Sequence, residues 1–245
     1  MRTNKAKNIS TRFPTSKRKK TEILTIPAEK IIPCLNDLAA FTSKSTSIAN
    51  QKIEGQFQTL LKVALNLIQP QAIWSRLDYD DIAPFLEIIA IQPGIGYLPK
   101  QVHFPAAKWI GVICTIGKEL ESICSEYYIQ GHHLNGYLLD LIGTLAISKT
   151  VTHIIETLRA GSGAVKFRPG SPGLPMSFQS KLFNILPAEV IKVTLTTSLF
   201  MLPLKSCSFV IAASNAIPQE ICITPCAWCR RKTEGTCSFA NEIHN

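Results

Sequence analysis

Ile191-Lys-Val-Thr-Leu-Thr-Thr-Ser-Leu-Phe-Met201, followed after a turn at 203–205 by Ser206-Cys-Ser-Phe-Val-Ile-Ala-Ala213, carries the clearest signal of the fold. Ile191, Val193, Leu195, Thr197, Leu199 and Met201 point one way; Lys192, Thr194, Thr196 and Ser198 point the other. A period of two predicts a half-buried strand with one polar face, and Ser206–Ala213 is apolar enough to be its antiparallel partner. Working upstream, Ser177 is placed to cap a short helix holding Phe178, Leu182, Phe183 and Leu186, which Pro187 closes. Lys166 to Pro175, with three prolines and two glycines, predicts a loop.

Before that loop, apolar residues surround a segment from His132 to Arg159. They predict a long central helix ended at Gly161, tolerating Gly143 where another backbone comes close. Glu119–Tyr128 reads as a helix and Trp109–Gly117 as a buried strand. In 54–68, Phe57, Leu60, Leu61, Ala64, Leu65 and Ile68 share a helical face, and Pro70 stops the helix. Residues 71–104, broken by Pro84, Pro93 and Pro99, read as irregular, with Gly94-Ile-Gly96 a turn too short for a dinucleotide fingerprint. Helices mixed with antiparallel strands, without strict alternation, predict the α+β class.

The 245 residues are 46% hydrophobic and 18% charged, enough to fill a core and to exclude a mostly disordered chain. The net charge of +9 is a property of one end. Residues 1–20 hold eight of the 26 Lys/Arg and none of the 17 Asp/Glu, leaving a nearly neutral body. The organisation expected is a disordered basic extension at 1–22, an α+β domain at 23–215 and a cysteine-rich tail at 216–245. A transit peptide, or an arm for RNA or acidic lipid, is the other use of such an extension. A nucleic-acid-binding body ranks last among the readings, because only the extension supports it. No secretory apolar segment follows the extension. The nearest membrane candidate, Leu134 to Ile147, is too short and contains Asp140, which predicts a buried helix and no membrane span.

Cys34, Cys114, Cys124 and Cys207 are isolated and read as small buried hydrophobes. Cys222, Cys226, Cys229 and Cys237 crowd into the tail, and with no secretory segment they suggest a reducing cytoplasm. A two-residue gap lets Cys226 and Cys229 reach one metal from a tight turn, and the outer pair can complete a four-sulfur shell. Arg230, Arg231 and Lys232 favour thiolates. Zinc, an Fe-S cluster or free redox-active thiols all remain open from this spacing, and a metal-bound tail would make the chain an electron-transfer protein. His132-His133 has no partner at metal spacing and reads as a polar helix start; Asp78, Asp80 and Asp81 read as a solvated loop.

The loop Arg168-Pro169-Gly170-Ser171-Pro172-Gly173-Leu174-Pro175 is stiffened by its prolines and freed by its glycines, so it can present backbone groups to a ligand. Arg168 adds a planar fork of donors suited to a carboxylate or phosphate. The same residues also suit a plain stiff connection. Thr196 and Ser198, two apart, could add hydroxyls from the strand face.

Taken in order, Asp140-Leu-Ile-Gly-Thr144, the loop 168–175, Val193-Thr-Leu-Thr-Thr-Ser198 and Met201-Leu-Pro-Leu-Lys-Ser-Cys-Ser208 resemble the activation (reactivation) domain of cobalamin-dependent methionine synthase. The stand-alone form from anaerobic bacteria is the variant resembled, over roughly residues 35–240. The resemblance implies one α+β domain with a curved, mostly antiparallel sheet flanked by helices. It implies S-adenosylmethionine bound by Arg168, the Pro172-Gly173 backbone and neighbouring loop residues, and a corrinoid protein or methionine synthase modules as partner. The role implied is accessory: the corrinoid's cobalamin is reduced and remethylated while this domain positions the methyl donor, and 245 residues leave no room for a complete methionine synthase. Three residues depart from the family pattern. Leu174 stands where an aromatic residue, commonly Tyr, is usual, and Ser148 and Thr197 stand where carboxylates are usual. Each lost charged hydrogen bond is expected to weaken a cationic ligand by about 1.5–3 kcal/mol.

Overall fold

The computed structural model describes residues 20–39, 48–78, 80–83, 108–170, 174–215 and 222–223. In chain order they form β1 (Thr21–Thr25), α1 (Leu35–Ala39), α2 (Ile48–Leu67), β2 (Gln71–Leu77), β3 (Lys108–Thr115), α3 (Glu119–Ile129) and α4 (His133–Arg159). Next come β4 (Gly163–Phe167), α5 (Phe178–Ile185), β5 (Thr194–Leu195), β6 (Met201–Leu202), β7 (Ser206–Ser214) and β8 (Cys222–Ile223).

Six strands make the main sheet in the order β1-β2-β3-β7-β4-β8. The first five are antiparallel, and β8 adds in parallel to β4. Because partners in register share a face, Glu22, Trp74, Val112 and Phe209 line up in one row across four strands. That face carries the larger core, where Ile110, Val112, Cys114, Phe209 and Ile211 meet Phe57, Leu60 and Ala64 of α2 and Leu138, Leu139 and Ile142 of α4. On the other face Trp109, Val165, Phe167 and Val210 pack with Leu174, Phe178 and Leu182. Beside them Ile73 and Ile113 pack with Leu186, Ala188, Ile191 and Val193. The molecule is therefore an α+β domain with a mostly antiparallel sheet between two uneven layers, as the sequence predicts.

The long helix is where the apolar residues put it. Its interior side buries eleven residues from Gly136 to Ile155. It is long and apolar enough to cross a bilayer, yet 56% of that apolar window is buried inside the fold. Ala160, at φ 49°, and then Gly161, at φ 82°, turn the chain out of the helix. At Gly143 the close approach is by side chains and not by another backbone: a Cβ there would stand 2.8 Å from Leu120 Cδ2 and 3.3 Å from Lys205 Cε. Lys205 lies across that gap, bonding Asp140 Oδ1 and Thr144 Oγ1, both at 2.9 Å. Its own N–H donates to the Glu121 carboxylate. Asp140-Leu-Ile-Gly-Thr144 and Met201–Ser208, far apart in sequence, are thus one packing unit.

Several expectations are corrected. Residues 71–77, read as irregular, form β2, and Lys166 and Phe167, read as loop, end β4. The strand predicted from Ile191 to Met201 does not exist. Ala188–Ile191 is a 3-10 turn, and Lys192 takes φ 58°. Thr194–Leu195 then pairs with Met201–Leu202 as a separate two-stranded hairpin. Its turn is held by Thr196: the Phe200 N–H donates to Thr196 Oγ1 at 3.0 Å, and the Thr196 N–H donates to the Phe200 carbonyl at 2.8 Å. With Leu199 at φ 64°, Thr196 and Ser198 are no longer on one pleated face. The partner of β7 is β3 on one side and β4 on the other. Ser177 makes no side-chain cap, Cys34 is exposed, and Asp81 is buried, its carboxylate accepting the Asp78 N–H at 2.9 Å.

Asp37 ties α1 to α4. Its Oδ2 lies 2.8 Å from Lys149 Nζ and accepts the Cys34 N–H at 2.7 Å. Burial raises the carboxyl's pKa, but the bonds from Lys149 and Cys34 outweigh it and hold it below the ordinary 3.8. A carboxyl with a depressed folded value stabilises the fold fully above its unfolded value and loses that contribution as pH falls through the folded value. Asp37→Asn is expected to cost up to about 1 kcal/mol at pH 7. In paired thermal melts that difference should close in acid below the ordinary carboxyl range; an equal difference at all pH values would contradict it.

Candidate functional site

The loop that follows β4 starts from a fixed strand end. Phe167 turns into the core, its ring centroid 5.9 Å from that of Trp109. Arg168, the next residue, lies just past the strand end and is exposed. Its charge reaches the neighbouring strand: burial raises the Cys207 thiol, while Arg168 and Lys166 pull it down. Cys114, the register partner of Cys207, is pushed well above its ordinary value, first by burial and then by Cys207.

Gly170 takes φ 83°, a conformation that favours glycine, and its N–H donates to the Leu174 carbonyl at 2.8 Å. That bond ties Gly170 to Leu174; Ser171, Pro172 and Gly173, between them, lie outside the described residues. Leu174 has its side chain in the core, 1% exposed, among Phe167, Phe178 and Leu182. It anchors the end of the loop in the core.

α5 joins this bend to the second candidate segment. A Cβ at Gly170 would stand 3.3 Å from Met176 Sδ, so Met176 covers the bend. One turn on, Gln179 is buried and donates from Nε2 to the Leu199 carbonyl at 3.1 Å. The Arg168–Gly170 bend and the Thr196–Phe200 turn therefore flank the same first turn of α5. Thr196 spends its hydroxyl on the turn, Ser198 is exposed, and Phe200 is 65% exposed. Ser148 and Thr197 are both exposed and carry no charge.

Sequence reasoning misses Met176, Gln179 and Lys205. Gln179 has a readable signal, a lone amide beside Phe178 and Leu182; Met176 and Lys205 have none short of the tertiary contacts. Of the cysteine tail, Cys222 lies in β8, in register with Ala164 of β4, and Cys226, Cys229 and Cys237 lie outside the described residues. Among the described residues no three His, Cys, Asp or Glu side chains gather to hold a metal. His132 meets Tyr127 edge-on and His133 meets Tyr128 at a tilt, at 6.3 and 6.1 Å between centroids, and the two stand at the N-cap and first residue of α4.

Compared with known proteins, the chain matches no family model and no curated protein. Its fold does match a solved structure, the crystal structure of the MetH reactivation domain bound to AdoHcy. The TM-score is 0.59 at 12% sequence identity, covering 82% of this chain and 80% of that chain. At that identity the likeness establishes a shared fold, the one implied by the four ordered motifs.

Proposed function

We propose that this chain is a reactivation-type accessory module. In this reading it holds an S-adenosyl compound at the end of β4 and presents it to a corrinoid protein. The observation that carries the reading is the convergence of the Arg168–Gly170 bend and the Thr196–Phe200 turn on the first turn of α5. The shared fold with a domain bound to AdoHcy supports it.

In this reading the Arg168 guanidinium takes the ligand's carboxylate as a charge-assisted pair. Ser171, Pro172 and Gly173 supply backbone groups to the ligand, and Ser198 supplies a hydroxyl. Leu174, buried beneath, braces the bend. S-adenosylmethionine, when bound, supplies the methyl group; the chain's own residues bind and orient it. Ser148 and Thr197 carry no charge and so offer no anion to its sulfonium. S-adenosylhomocysteine, which lacks that charge, should therefore bind at least as well as S-adenosylmethionine. Isothermal titration with both ligands tests this: heat from both, with no preference for the cation, is expected, and no binding of either at millimolar concentration overturns it. Cobalamin enters only through the partner, which a pull-down with a corrinoid protein would detect.

A further inference from the structure

A cavity of about 470 Å³ lies away from Arg168, at the β1–β2 corner of the sheet, lined by Lys20, Glu22, Trp74, Ser75, Arg76 and Asp78. The register explains it. Trp74 and Glu22 are partners and share a face, and Arg76 follows Trp74 on that face two residues on. Farther along the row Val112 and Phe209 are covered completely, whereas Trp74 is only half-buried and Arg76 is exposed. The cover over the sheet ends at this corner and leaves an indole in the wall of a concavity. The Ser75 hydroxyl, 1% exposed, reaches the Lys20 carbonyl at 3.1 Å and fixes the rim.

The charges lining it are unequal in their partners. Lys20 faces Glu22 at 3.6 Å, with both side chains well exposed. Among the described residues no hydrogen bond or ion pair engages the Arg76 guanidinium. Lys17, Arg18 and Lys19 immediately precede Lys20 in the sequence. Glu22 and Asp78 also line the cavity, but among the described residues Glu22 pairs with Lys20 and neither carboxylate forms an ion pair with Arg76, whose guanidinium is open to an anion beside an aromatic surface. The cavity's volume falls within the range of about 300–1,000 Å³ that suits a small organic ligand.

We propose that this corner binds a nucleoside phosphate, its base against Trp74 and its phosphate on Arg76 and Lys20. Stacking on an indole is tolerant of base identity, and a guanidinium takes phosphate oxygens in pairs. The assignment is independent of the Arg168 reading.

The test is isothermal titration of the full chain with adenosine 5′-monophosphate, adenosine, inorganic phosphate and hexa-adenylate. The monophosphate should bind more tightly than adenosine or phosphate alone. Arg76→Ala, an exposed position, should weaken it by about ten- to hundredfold with unchanged circular dichroism. Trp74→Phe should weaken it less and remove quenching of the indole fluorescence. Arg168→Ala should leave it unaffected. A preference for hexa-adenylate supports a strand as the natural source, and equal affinity supports a free nucleotide. Undiminished binding by Arg76→Ala, loss on Arg168→Ala instead, or no binding at millimolar monophosphate would overturn the proposal.

Discussion

Phe209→Ala is expected to lower the free energy of unfolding by about 3–5 kcal/mol. Phe209 is fully buried in β7, with Val112 beside it across the ladder, and belongs to the core that joins the sheet to α2 and α4. Truncation removes the ring's transfer energy and leaves a cavity between rigid elements that cannot close over it. Both neighbours of β7 depend on the same layer, so the loss should appear as a cooperative drop in urea midpoint with little change in slope. Phe200→Ala is the control. Its ring is 65% exposed, so its cost should stay within about 0.5 kcal/mol. A Phe209→Ala loss no larger than that of Phe200→Ala would mean that β7 takes a different register in the sheet.

Arg168→Ala is expected to act on binding far more than on stability. The side chain is exposed at a strand end, and the bend below it is held by the Gly170–Leu174 backbone bond and the buried Leu174 side chain. Those two contacts do not involve the guanidinium, so its removal leaves them in place and deletes one charge-assisted pair with the ligand's carboxylate. The expected loss in affinity for an S-adenosyl ligand is about ten- to hundredfold, with little change in melting temperature. Arg168→Lys should recover part of it, since an ammonium keeps the charge and loses the paired geometry. A variant that binds as tightly as the parent would remove Arg168 from the site.

The helices are legible in the sequence because each carries its own signal. α4 shows apolar residues around its circumference and a turn at Ala160-Gly161; α2 shows a single stripe ended by Pro70. β3 and β7 are legible as unbroken apolar runs, which central strands buried on both faces require. β1, β2 and β4 escape such a reading for identifiable reasons. Thr21–Thr25 is a short edge strand beside a basic run, Gln71–Leu77 sits between prolines, and Gly163–Phe167 follows a Gly-Ser-Gly turn. Their pairing is a long-range property that no local pattern records.

The false strand at 191–201 shows the opposite failure. Its alternation is real, but Ile191 and Val193 are buried against the sheet by a 3-10 turn, and Thr196 folds the rest back on itself. An alternating pattern states which side chains are apolar, not that the backbone between them is extended. At the candidate site, Arg168 and the glycine of the bend can be read from residue type alone. The contacts that join the bend to the 196–200 turn run through Met176, just before α5, and Gln179 in its first turn, and only the tertiary structure brings them there.

The most direct test of the central claim compares S-adenosylhomocysteine with 5′-methylthioadenosine, which keeps the nucleoside and lacks the amino-acid end, on the parent chain and on Arg168→Ala. The parent should prefer S-adenosylhomocysteine by about ten- to hundredfold, and the variant should bind the two alike. A preference of the same size in both proteins would show that the carboxylate is held elsewhere and would contradict the account.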